Sequence, residues 1–223
     1  MFRPELIEAI RDYRYFLDRN YPPSATIKLV GDKYALTGNE RSVLYRGVSS
    51  SFAASVREKK KIHRLLNDTV LVDTHNILFT IANYLLGKPV FISDDSFLRD
   101  TGELHGRFSN HKILEHTFLL LIQFILKNKK KKYIFYLDRP VSNSGKLSLR
   151  FVDFFRENKI NGESYTVYSP DHQLIQEEKG VICTSDSVII QQCKLKVFDL
   201  SEYILTHNFN PAFDSVKTAL ESP

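Results

Sequence analysis

Six short apolar runs between residues 69 and 198 constrain this chain more than anything else in it: TVLV at 69–72, VFI at 90–92, YIFYL at 133–137, YTVY at 165–168, GVIC at 180–183 and KVF at 196–198. Runs of this length without polar alternation are strands buried on both faces. Helical patterns at 78–86, 113–126, 146–159, 172–179 and 186–192 separate them. Strands alternating with helices predict an α/β fold, a three-layer and mostly parallel sheet. No apolar stretch is long enough to cross a bilayer; TFLLLIQFIL at 117–126 is about half of what that needs. The opening MFRPELIEAIRDYR is charged and amphipathic rather than signal-like. Two cysteines in apolar surroundings, Cys183 and Cys193, read as reduced core residues of a cytoplasmic protein.

Acidic residues sit at the ends of these runs. Asp73 follows the first (VLVDTHN), Asp94 and Asp95 the second (VFISDD), Asp138 the third (IFYLDRPVSNSG) and Asp186 the fifth (VICTSDSVII). In a parallel sheet all carboxyl ends lie on one edge, where ligands bind. Carboxylates gathered there repel one another and call for a cation. Oxygen donors select Mg²⁺ or Mn²⁺ rather than zinc. A cation so held serves phosphodiester hydrolysis. Neither a GxGxxG nor a GK[ST] loop follows the first strand, and the seven histidines lack HExxH spacing. His75, beside Asp73, is at most an accessory. Each aspartate taken singly is also an ordinary helix cap or turn residue.

VLVDTHN resembles the opening element of PIN-like and NYN-type nucleases, VICTSDSVII resembles their late element, and YLDRPVSNSG supplies a central strand-end aspartate. The resemblance covers about residues 69–200. It implies Asp73, Asp138 and Asp186 as metal ligands and catalytic residues, Asn76 as the residue shaping the first turn, and Thr184 and Ser185 as groups orienting a carboxylate or a water. Glu115, or Asp94 and Asp95, would supply the further acid such sites use. Thr74 stands where NYN-type openings usually have Gly, and TSDS holds one acid fewer than GDSDF. The whole chain is also similar to a prokaryotic family of unassigned function that joins an N-terminal helical domain to a PIN-like domain. PIN-like domains often form homodimers.

The N-terminal third is helical. Leu6, Ile7, Ile10, Tyr13, Phe16 and Leu17 follow a 3.6-residue period, Ser24 is placed to cap a second helix, and Thr37 with Glu40 forms a capping-box pattern for a third. Three such helices have the outline of a helix-turn-helix unit, with Arg41 and Arg46 placed to meet nucleic acid, or of a plain helical packing. Residues 1–68 hold 13 Lys and Arg against 8 Asp and Glu, which is the whole net charge of +5. That asymmetry fits an anionic partner, nucleic acid first, or a solvated helical surface with no partner.

The expected division is a helical domain at 1–50, a basic linker helix at 51–68, a PIN-like α/β domain at 69–205 and a tail at 206–223. Ser142 and Ser144 open a helix that offers a phosphate backbone N–H groups, with Lys146 and Arg150 one turn apart on it. Arg139 is placed to stabilise developing negative charge. Arg99 and Arg107 fall in a polar segment, 93–111, that reads as a substrate flap. The expected function is a Mg²⁺- or Mn²⁺-dependent nuclease, acting on RNA more than DNA. The alternatives are a non-catalytic nucleic-acid-binding regulator on an inactive platform and a phosphatase. DTHN in place of DxD weakens the last.

Overall fold

A computed structural model describes residues 2–65, 68–102 and 111–221. Helices α1 (Pro4–Leu17), α2 (Pro23–Lys33), α3 (Gly38–Gly47) and α4 (Ser51–Glu58) lead into strand β1 (Lys61–Ile62). Then follow β2 (Thr69–Asp73), α5 (Thr74–Leu85), β3 (Val90–Ile92), β4 (Leu98–Asp100), α6 (His111–Lys127), β5 (Lys132–Asp138) and α7 (Ser144–Glu157). The chain continues through β6 (Gly162–Val167), α8 (Pro170–Gln176), β7 (Val181–Cys183), α9 (Ser187–Gln192), β8 (Val197–Phe198), α10 (Leu200–Phe209), β9 (Asp214–Ser215) and α11 (Val216–Glu221).

The principal sheet has six strands in the order β1-β8-β7-β2-β5-β6, every pair parallel. Alternate residues of one strand serve opposite faces. Val70 and Val72, Phe135 and Leu137, and Val181 and Cys183 share an apolar cluster with α5, α6, α7 and α10. Leu71, Tyr136 and Ile182 join Leu174, Ile189 and Ile190 of α8 and α9 on the other face. The α/β domain is therefore layered as helices, sheet and helices. Both cysteines are buried free thiols. Among the described residues no helix is long and apolar enough to cross a membrane.

The helices α1 to α3 pack Leu6, Ile10, Tyr13, Val30, Val43 and Leu44 into a separate cluster. The capping box forms as the sequence predicts: Thr37 Oγ1 accepts from the Glu40 N–H, and Glu40 reaches back to the Thr37 N–H. Ser24 caps nothing, because Pro23 occupies the first helical position and α2 starts two residues earlier than that cap would place it.

Four expectations need correcting. VFI at 90–92 belongs to a second, three-stranded sheet of order β4-β3-β9, antiparallel to β4 and parallel to β9. An apolar run does not announce which sheet will hold it. The basic helix ends at Glu58, and Lys61 and Ile62 extend the main sheet beside β8; Leu66 and Asn67 of the expected linker lie outside the described residues. The expected tail is folded: α10 takes its first residues, and Val216 and Ala219 of α11 join the cluster of Leu6 and Ile10. The expected flap begins as buried structure, with Ser93, Asp95, Phe97 and Arg99 all enclosed, while Arg107 lies outside the described residues.

Candidate functional site

β2 lies between β7 and β5, so the chain leaves it in one direction and later returns on its other side. The carboxyl end of β2 is thus the switch point where a crevice opens in a parallel sheet. Asp73 is the last residue of β2 and precedes α5, yet its carboxylate does not cap that helix. It is buried, and Thr184 Oγ1 donates to its Oδ2 at 2.7 Å. Burial pushes the Asp73 carboxyl well above its ordinary range; the Thr184 bond opposes this, and the negative charges of Asp186, Asp138 and Asp171 add to it. Asp171 is itself raised, by desolvation first and then by Asp186 and Asp138. The negative charges of Asp138 and Asp186 thus bear on both Asp73 and Asp171.

The connecting groups are specific. Asn76 Oδ1 accepts from the Ser185 N–H at 2.9 Å and the Ser185 hydroxyl at 3.1 Å, tying the first turn of α5 to the loop after β7. Thr184 Oγ1 also accepts from the Asp186 N–H at 3.1 Å. Asp186 Oδ1 caps α9 by accepting from Val188 and Ile189. His75, buried and stacked on Phe79, places Nδ1 2.9 Å from Asp138 Oδ2 and 3.0 Å from the Asp138 N–H. As neutral imidazole, Nδ1 accepts from that N–H; as imidazolium it donates to the carboxylate.

Asp171, in the first turn of α8, was missed at the sequence level. Its signal was present: it lies just beyond β6, as Asp73 and Asp138 lie at the ends of β2 and β5. The intervening Ser169-Pro170 disguised it as a turn. Asp199 follows β8 and was also overlooked. It is buried and accepts from the Leu98 and Glu202 N–H groups, which makes it a structural cap.

Other expected residues are placed elsewhere. Asp94 and Asp95 are not on the rim, because β3 is not in the main sheet. Asp94 accepts from Arg14 and Ser49. Asp95 is held by Arg57 and Arg99. Burial alone would raise the Asp95 carboxyl, but Arg99 and Arg57 outweigh it and bring it down to about 2. These two acids join the helical part to the α/β part and cannot also serve as rim ligands. Glu115 takes a bidentate pair from Arg150 at 2.7 and 2.8 Å, which removes both as site groups. Arg139 lies over the Tyr168 ring, 4.7 Å from its centroid. The Ser144 hydroxyl donates to the carbonyls of Asp138 and Val141 and so closes a turn. Ser142 and Lys146 are exposed.

Arg41 folds back onto α2, donating to the Leu36 carbonyl and to Asp32. Arg46 approaches Asp100 at 3.5 Å. Part of the N-terminal positive charge is matched internally by acids of the α/β part: Arg14 by Asp94, Arg57 by Asp95 and Lys61 by Glu202.

The rim offers oxygen donors of the kind a hard divalent cation takes, one of them enclosed, with no lysine or arginine among the described residues paired with Asp73, Asp138, Asp171 or Asp186. Among the described residues no group of three or more His, Cys, Asp or Glu side chains is placed to hold a metal ion. Magnesium does not need one, since it keeps several waters and is commonly held by one or two carboxylates with substrate phosphate.

The family described as "Domain of unknown function (DUF5616)" matches residues 62–203, and that described as "Protein of unknown function (DUF434)" matches residues 5–60. The chain is 29% identical over 196 residues to "Uncharacterized protein MJ0935" of Methanocaldococcus jannaschii, covering 86% of this chain and 93% of that protein. No solved structure matches it with significant similarity.

Proposed function

The chain belongs to the DUF5616 family, and from the site it carries we propose that it is a divalent-metal-dependent nuclease hydrolysing phosphodiester bonds, in RNA rather than DNA. One observation carries this reading: the buried Asp73 carboxylate has no cationic partner among the described residues and lies in the field of Asp138, Asp171 and Asp186. Such a group is costly to keep charged unless a cation joins it. The resemblance of VLVDTHN and VICTSDSVII to PIN-like elements supports the same reading, and the preference for RNA rests on that resemblance.

Asp73 and Asp186 would hold Mg²⁺ or Mn²⁺, with Asp138 and Asp171 completing the negative field. When bound, the cation neutralises a phosphoryl oxygen and makes a nearby water more acidic. Thr184 fixes Asp73 and the backbone of Asp186 in one geometry. Asn76 holds the Ser185 backbone, so the loop after β7 cannot drift from the start of α5. Asp138 or Asp186 accepts the proton of the attacking water. His75 Nδ1, beside both the Asp138 N–H and its carboxylate, fixes the position of Asp138. In this reading α1 to α3 form a helix-turn-helix-like unit that positions the strand.

Mn²⁺ titration by calorimetry, with cleavage of single-stranded RNA, tests the proposal on wild type and Asp73→Asn. Metal binding and cleavage are expected in the wild type, and both are expected to be lost in the variant while nucleic-acid binding persists. Salt-sensitive binding with no metal dependence and no cleavage would replace this reading with that of a non-catalytic regulator.

A further inference from the structure

A cleft of about 620 Å³ runs from α1 to α3 across to the loop after β7. One wall carries Tyr21, Tyr45 and Arg46, and the other reaches Ser185, Asp186 and Ser187. The cleft therefore connects the helical part with Asp186, the one rim carboxylate in its lining. The two tyrosines are 52% and 67% exposed, although most large apolar side chains of α1 to α3 are packed inside. Tyr21 is braced edge-on by Phe16, with ring centroids 5.2 Å apart.

We propose that this cleft seats a single-stranded polynucleotide, with bases stacking on Tyr21 and Tyr45 beside Arg46, whose guanidinium is shared with Asp100 at 3.5 Å. The assignment rests on the rim being the cleavage site, because it delivers the strand to Asp186. Exposed aromatic rings beside a cation are the usual platform for unpaired bases, since every base has a face to stack. The capacity is that of a ligand-sized pocket, enough for one or two unstacked nucleotides and too small for a duplex. Arg41, which a groove-reading helix would present outward, is instead committed to Asp32 and Leu36. The face of α3 that carries Tyr45 and Arg46 is the one that meets the site.

Fluorescence anisotropy in EDTA, with a labelled single-stranded oligoribonucleotide, the same sequence as DNA, and its duplex, tests this apart from cleavage. The full chain should bind either single strand more tightly than the duplex, and the two single-stranded arms decide between RNA and DNA. Tyr45→Ala and Tyr21→Ala should each weaken binding by about five-fold or more. Tyr45→Phe should restore it, which a merely structural role for the hydroxyl would not allow. Lys130→Ala, in the exposed turn before the amino end of β5, should leave it unchanged. Wild-type affinity in both tyrosine-to-alanine variants, preference for the duplex, or no measurable binding would each overturn the proposal. If the tyrosine variants lose binding but the wild type never cleaves, the cleft stands and the nuclease reading falls. If Asp73→Asn abolishes cleavage while the tyrosine variants bind and cleave normally, the reverse holds.

Discussion

Thr184 donates its hydroxyl to Asp73 across 111 positions of sequence. The two residues end neighbouring parallel strands, β7 and β2, so the sheet register places a donor beside the carboxylate that most needs one. The same hydroxyl oxygen receives the Asp186 N–H. One side chain thereby couples the positions of two candidate ligands.

Thr184→Val keeps the shape and removes the donor. Mn²⁺ affinity should fall roughly 10–100-fold, as for the loss of other groups that orient a metal ligand, and Thr184→Ser should recover most of it. Calorimetric titration of the three proteins measures this.

Asp73→Asn should stabilise the metal-free protein at alkaline pH. Burial pushes the folded Asp73 carboxyl well above the ordinary carboxylate range. Between the unfolded and folded values the folded state holds more proton than the unfolded state, so wild-type stability falls as pH rises. The variant lacks this slope. It should be more stable than the wild type above neutral pH, the two converging toward acid. Urea unfolding across a pH series without divalent metal is the measurement.

Asp95→Asn should have the opposite sign. It leaves Arg57 and Arg99 buried without their shared carboxylate, and a loss of about 3–5 kcal/mol is expected. The folded carboxyl is held down to about 2. Its contribution is therefore complete above the unfolded value and disappears as pH falls through that range. Denaturant midpoints of the two proteins near neutrality and in acid test both parts.

Gly47→Ala probes the junction of α3, β3 and α11. A Cβ there would lie 2.5 Å from a Phe91 ring carbon and 3.2 Å from a Val216 methyl. Overpacking of this kind should cost about 1–3 kcal/mol, read as a lower thermal midpoint with the far-ultraviolet spectrum unchanged.

Much of this was legible in the residues. Asp73, Asp138 and Asp186 could be located because each directly follows an apolar run, and parallel pairing sends all such ends to one edge. Thr37 and Glu40 announced their helix by a local rule that needs no tertiary information. The failures are tertiary. Val90–Ile92 is as apolar as a main-sheet strand, but Gly47 and Phe91 bind it to the helices, and no periodicity encodes that choice. Asp94 and Asp95 were misread for the same reason, since their arginines lie between four and eighty residues away. Asp171 was hidden by a proline turn between it and its strand.

Arg99 shows how closely the parts depend on one another. Its guanidinium donates to the carbonyls of Ser185 and Arg46 and to Asp95, so the loop bearing Asp186 is pinned to the end of α3.

The return of α11 to α1 has a consequence for biosynthesis. Helices α1 to α3 are missing part of their apolar seat until Val216 and Ala219 have left the ribosome. During elongation through the whole α/β part that seat stays open to water.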